Sequence, residues 1–166
     1  MSDIDDFSAA IEAIRPTDTL ALPLGPGVPG GFIHALGNDT PVDRFVDLRV
    51  FGALLPDLYA LFTRPTVHLK SGFFGPAERF LRDTGADVDF VPADFRRFET
   101  VLHRLHAGAF TDAIADAIAD PDRVVIVECS PHFPRTKGLG TYEHSISVSD
   151  IDHLVFSERT PLNLAD

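Results

Sequence analysis

An open, mainly parallel α/β sheet with helices on both faces is the fold class the sequence predicts. Three observations carry this expectation. Apolar segments of strand length alternate with stretches of helical spacing, the pattern of βα units. Two glycine-rich loops, around Gly25 and Gly72, each lead from an apolar segment into a helical one. The run Arg123-Val124-Val125-Ile126-Val127-Glu128-Cys129 is continuous and β-branched, as expected of a strand buried on both faces.

The elements follow in order. Residues 3–14 place Ile4, Phe7, Ala10, Ile11 and Ile14 at helical spacing, with Ser2 or Asp3 as cap and Pro16 as stop. Residues 19–24 form the first strand. The glycine loop 25–31 then opens into a helix at Phe32-Ile33-His34-Ala35-Leu36. A second strand is expected from Phe45 or Val46 to Val50, and a short helix or loop over 52–62. Thr66-Val67-His68-Leu69-Lys70 alternates like a strand and runs into Ser71-Gly72-Phe73-Phe74-Gly75-Pro76. A helix over 77–84 follows, with Gly85 as its C-terminal stop. Residues 87–91 read as a strand, 94–105 and 111–119 as helices, 123–129 as the buried strand and 130–142 as loop. Short strands are expected at 145–148 and 153–157, with a capped turn at Ser149-Asp150-Ile151-Asp152 between them.

On such sheets ligands bind beyond the carboxyl ends of the strands. Both glycine loops stand there, so Gly25, Gly27, Gly30, Gly31, Gly72 and Gly75 are the candidate ligand-binding residues. Strand, glycine loop and helix together present backbone N–H groups to an anion or a carbonyl oxygen. The loop is neither GxGxxG nor a Walker sequence. A tight strand-to-helix turn with no ligand fits the same residues.

Composition narrows the classes. At 166 residues the chain suits one domain, and 45% hydrophobic with 23% charged residues is globular composition. Fourteen Phe and no Trp place much of the core bulk in Phe. Fourteen basic against 25 acidic residues, a formal charge of −11, argue against nucleic acid as partner. The single Cys129 excludes an internal disulfide and fits a reducing compartment. The acidic start Met1-Ser2-Asp3-Ile4-Asp5-Asp6 is not a signal peptide, and no apolar run reaches the length of a membrane span. A soluble cytoplasmic protein is expected.

The residues assemble no complete catalytic set of nucleophile, base and orienter. His103 and His106 stand three apart but lack a third ligand nearby, so no metal site is expected. GxSxG is absent. Cys129 reads as a buried, inert thiol. Glu128 beside it takes a structural role first and a catalytic one second. Arg96 and Arg97 read as a solvated helix face, and Phe73 and Phe74 as core.

Several segments occur in a fixed order: Gly25-Pro26-Gly27-Val28-Pro29-Gly30-Gly31-Phe32, Ser71-Gly72-Phe73-Phe74-Gly75-Pro76, Phe90-Val91-Pro92, His106-Ala107-Gly108-Ala109, Val127-Glu128-Cys129-Ser130-Pro131-His132-Phe133-Pro134-Arg135-Thr136 and Val148-Ser149-Asp150-Ile151-Asp152. In that order they resemble the N-terminal half of the acetyl-CoA hydrolase/transferase family. That family belongs to the class I coenzyme A transferases and includes 4-hydroxybutyrate CoA-transferases. The resemblance spans nearly the whole chain. It implies a coenzyme A thioester as substrate and no permanently bound cofactor. It also implies a glutamate that attacks the thioester, giving a mixed anhydride and then a glutamyl-CoA thioester. Backbone N–H groups would stabilise the oxyanion.

In the family that glutamate belongs to the C-terminal half. None of the glutamates here, Glu78, Glu99 and Glu128 included, matches its motif, so no catalytic residue is assigned and the chain alone is expected to be inactive. The implied partner is a C-terminal-half subunit or domain, or a second copy. A non-catalytic remnant, or a CoA-binding or interaction protein, is the alternative. Two departures stand out. The strand and turn that the family places between the helix and His106 are missing at the Leu105–His106 junction, and Ser130 replaces the usual Asn.

Overall fold

The computed structural model describes residues 6–92, 118, 120–132 and 146–159. The helices expected over 94–105 and 111–119 (Ile118 apart), the Leu105–His106 junction, the pairs His103/His106 and Arg96/Arg97, Glu99, the caps Ser2 and Asp3, and most of the 130–142 loop lie outside these residues.

The expected open parallel sheet is present. Helix α1 (Phe7–Glu12) is capped by Asp6, whose carboxylate accepts from the Ala9 N–H at 3.0 Å. Strands β1 (Thr19–Ala21), β2 (Leu48–Gly52), β3 (Val67–Ser71) and β4 (Val88–Phe90) form one sheet in the order β1-β2-β3-β4, every pair parallel. Helix α2 (Gly30–Asn38) connects β1 to β2, and α3 (Pro76–Asp83) connects β3 to β4. Strands β5 (Ile126–Cys129) and β6 (His153–Phe156) pair in parallel as a separate two-stranded sheet.

The two sides of the four-stranded sheet differ, as period-2 side-chain alternation requires. Leu48 and Val50 of β2 and Val67 and Leu69 of β3 are buried. They share a core with Phe32, Ile33 and Leu36 of α2, with Leu61 and Phe62 of a 3₁₀ turn at Ala60–Thr63, and with Val155 of β6. The alternate positions carry charge. Lys70 faces Asp89 across the β3–β4 pair at 3.3 Å, and His68 lies between Asp47 and Asp87.

Helix α2 is fixed at its far end by close packing and by a buried arginine. A Cβ at Gly37 would come within 2.5 Å of the Leu61 nitrogen, so only glycine allows the helix this near to the 3₁₀ turn. Arg64, buried, donates to the carbonyls of Gly37 at 2.7 Å, Thr40 at 2.8 Å and Pro41 at 3.0 Å, and to Thr40 Oγ1 at 2.9 Å. These carbonyls have no acceptor role left inside the helix, and a cation at a helix C-terminus is favourable.

Four expectations are corrected. Strand β5 is not buried on both faces: Val124 is exposed, Ile126 to Glu128 are half-buried and Cys129 is exposed. Its one strand partner among the described residues is β6, so an apolar run here does not mean a central strand. Cys129 is accordingly not a buried thiol. Phe73 is exposed rather than core, because the loop after β3 carries it past the sheet. The expected strand at 145–148 is replaced, where described, by a 3₁₀ turn at Val148–Asp150, with Ser147 accepting from the Ser149 N–H.

Candidate anion site at the first glycine loop

After β1 the backbone leaves the sheet through Leu22, whose N–H donates to Phe51 O at 2.8 Å. Gly25 adopts φ +50°, a left-handed conformation that suits glycine, and starts a 3₁₀ turn over Gly25–Gly27. The turn spends its own donors. Gly25 N–H goes to Ala53 O at 3.2 Å, Gly27 N–H to Leu24 O at 3.0 Å and Val28 N–H to Gly25 O at 3.0 Å. Pro29 then caps α2, leaving the N–H groups of Gly30, Gly31 and Phe32 without acceptors inside the helix.

Glu128 fills that place. Its Oε1 accepts from Gly31 N–H at 3.1 Å and its Oε2 from Phe32 N–H at 2.7 Å. The amino end of α2 therefore holds a carboxylate, as the N–H array and helix dipole favour. Gly31 has to be glycine: a Cβ there would come within 2.7 Å of Ser157 Cβ and 2.9 Å of Glu128 Oε1.

Three further side chains gather at this point. Ser157, buried at the carboxyl end of β6, lies against Gly31 and accepts from the Arg159 N–H at 3.0 Å. Arg159 reaches back to Gly30 O at 3.3 Å and to Asp57 at 3.6 Å. Tyr59, only 4% exposed, stands edge-on to Phe62 and brings its hydroxyl to Gly30, where a Cβ would sit 3.1 Å from it. Burial pushes the phenol up to about 12, with the negative charges of Asp57 and Glu128 adding to the shift and Arg159 opposing it.

The second glycine loop is closed on itself. Gly72 N–H donates to Gly52 O at 2.9 Å. Glu78, 1% exposed in the first turn of α3, accepts from Gly75 N–H at 3.0 Å and Leu55 N–H at 3.1 Å, and from Ser71 Oγ at 3.3 Å. Its bond to Gly75 is the side-chain half of a capping box. Phe74 packs on Phe90 at 5.8 Å and under the Arg82 guanidinium at 4.7 Å.

Of the six glycines singled out in the sequence, then, Gly25, Gly27, Gly72 and Gly75 have their N–H groups engaged within the fold, and Gly31 serves Glu128. Gly30 lies beside Tyr59 and Arg159. Sequence reasoning missed Tyr59, Ser157 and Arg159. The usable signal for two of them was position, since Ser157-Glu158-Arg159 directly follows a strand end. Among the described residues no group of three or more His, Cys, Asp or Glu could hold a metal ion, and no helix is long and apolar enough to cross a membrane.

No family model matches the chain, and neither does any curated protein. Solved structures do resemble it. The crystal structure of RipA from Yersinia pestis superposes with a TM-score of 0.75 at 20% identity, covering 97% of this chain and 43% of RipA. Two single-substitution RipA variants give TM-scores of 0.75 and 0.74, also at 20% identity, covering 97% and 95% of this chain. At that identity the likeness shows a shared fold. The chain spans less than half the length of the RipA chains it matches.

Proposed function

We propose that the chain is the N-terminal domain or subunit of an acyl-CoA transferase or hydrolase, acting on a coenzyme A thioester in the cytoplasm. The catalytic glutamate would come from a C-terminal half, on the same polypeptide or on a partner. The observation that carries this reading is the pair of main-chain N–H groups, Gly31 and Phe32, that hold a carboxylate beside the carboxyl end of a parallel strand. Acyl exchange needs such donors for an oxyanion. Two features support a second half. RipA, the fold neighbour, is more than twice as long. Leu54, Phe73 and Phe90, which follow or end the parallel strands β2, β3 and β4, are exposed at the carboxyl end of the sheet, apolar surface of the kind a packed neighbour would cover.

The alternative is a non-catalytic binding or interaction protein. It is favoured by the internal use of the N–H groups of Gly25, Gly27, Gly72 and Gly75. The deciding experiment measures acetyl transfer from acetyl-CoA to short acids, with the chain alone and with a candidate C-terminal half. Turnover only in the mixture is expected. Turnover by the chain alone that Glu128→Gln abolishes would place the nucleophile here and overturn the assignment. No turnover in either case would favour the non-catalytic protein.

A further inference from the structure

The two sheets are held together unevenly. No strand pairing joins β5 and β6 to the four-stranded sheet, and a two-stranded sheet has little stability of its own. The pair therefore depends on side chains that reach across, and among the described residues the polar ones gather at its carboxyl end. Glu128 accepts from the Gly31 and Phe32 N–H groups. Ser157 is buried against Gly31. Arg159 donates to Gly30 O at 3.3 Å and pairs with Asp57 at 3.6 Å. On β6, which lies along α1, Val155 is fully buried in the shared core, and Ile126 of β5 packs partly against it. The amino end differs. Val124, before β5, and Val148, before β6, are each 55% exposed. There the pair is tied to itself: Val125 N–H donates to the Asp152 carboxylate at 2.7 Å, and His153 N–H donates to Val125 O at 3.1 Å.

We propose that the β5–β6 pair is a flap that opens as one unit from the four-stranded sheet, with the Glu128 carboxylate as its latch. A segment that buries few apolar side chains and shares no ladder with the rest of a fold opens at lower cost than the whole. Opening withdraws Val155 and Ser157 and breaks the two bonds of Glu128, while both ladders stay intact. The Gly31 and Phe32 N–H groups then face solvent, so the amino end of α2 is covered in one state and uncovered in the other. The flap is independent of the acyl-CoA reading.

Native-state hydrogen exchange of the 166-residue chain, followed by NMR at rising urea below the unfolding transition, tests this. The His153 and Ser157 amides, which donate to Val125 O and Cys129 O, are expected to share one opening constant. It should exceed that of the Leu48 and Leu69 amides, in the main sheet, by about tenfold or more. It should also depend less on urea, because opening the flap exposes less surface than unfolding. Glu128→Gln keeps one acceptor oxygen and sets an amide donor against the other N–H. His153 and Ser157 should then lose about tenfold or more in protection, the scale of one charge-assisted bond. Should that variant fail to fold, Glu128→Asp, whose carboxylate is one methylene shorter, carries the same expectation. One opening constant and one urea slope for all four amides would overturn the proposal, since the pair would then open only with the whole fold. Different constants for His153 and Ser157, or protection in the folded Glu128 variant within about twofold of wild type, would overturn it as well.

Discussion

Replacing Glu78 by glutamine tests whether one buried carboxylate organises the turn after β2 and the second glycine loop together. The carboxylate is 1% exposed, with Oε1 accepting from Leu55 N–H and Ser71 Oγ and Oε2 accepting from Gly75 N–H. Glutamine keeps the shape but turns one oxygen into a donor. In either amide orientation a backbone N–H, that of Leu55 or of Gly75, then faces another donor. The lost charge-assisted bond is worth roughly 1.5–3 kcal/mol, and the orphaned N–H costs roughly 1–3 kcal/mol more. Relief from burying a charge returns part of this. The net cost is expected at about 2–4 kcal/mol, a large share of the 5–15 kcal/mol typical of a domain. Leu54, at φ +54°, precedes one of these donors, so its unusual backbone should relax as well. The assay is urea unfolding by circular dichroism, which should show a lower midpoint at unchanged slope. Amide exchange at Leu55 and Gly75 should accelerate with it. A midpoint shift worth less than about 0.5 kcal/mol, the scale of an ordinary surface change, would refute the reasoning.

Two further outcomes are expected. Arg64→Met leaves the carbonyls of Gly37 and Thr40 without their donor, and the Pro41 carbonyl with the Arg44 N–H alone. It should cost about 2–4 kcal/mol, or roughly 5–15 °C in Tm by differential scanning calorimetry; an unchanged Tm would show that water serves those carbonyls equally well. For Tyr59, whose phenol is raised to about 12, the unfolded chain loses a proton near pH 10 that the folded chain keeps until about 12. The contribution of this phenol to stability should be flat below pH 10 and fall by roughly 2–3 kcal/mol between about 10 and 12. Comparing urea midpoints of wild type and Tyr59→Phe across that range isolates this share, and parallel curves would contradict it.

Elements with a strong local signal were readable from the sequence. The alternation in Thr66-Val67-His68-Leu69-Lys70 located β3 to within one residue, and Pro76 with Gly85 bracketed α3. Strand β2 begins later than its apolar pattern suggests, at Leu48, because the N–H groups of Val46 and Asp47 turn to Pro16 O. The end of strand β5 was placed correctly, but it begins at Ile126 rather than Arg123 and is not buried on both faces, since hydrophobicity records what a residue tolerates rather than how many strands flank it. The candidate site was half legible. Its glycines are a local feature, but Gly31 and Glu128 are 97 residues apart. No periodicity or spacing rule encodes that pairing, or the approach of Tyr59 and Arg159 to the same turn.

The strand order carries a consequence for how the molecule comes into being. Each strand of the four-stranded sheet pairs with the one immediately before it in the chain, so every loop to be closed is short and the entropic cost of each is modest. During vectorial synthesis from the N-terminus, β1 to β4 and the glycine turn are all available before residue 128 has been made. For that interval the Gly31 and Phe32 N–H groups stand open to water or to any anion nearby. The carboxylate that later closes them arrives on β5, which pairs with β6 rather than with a strand of the four-stranded sheet.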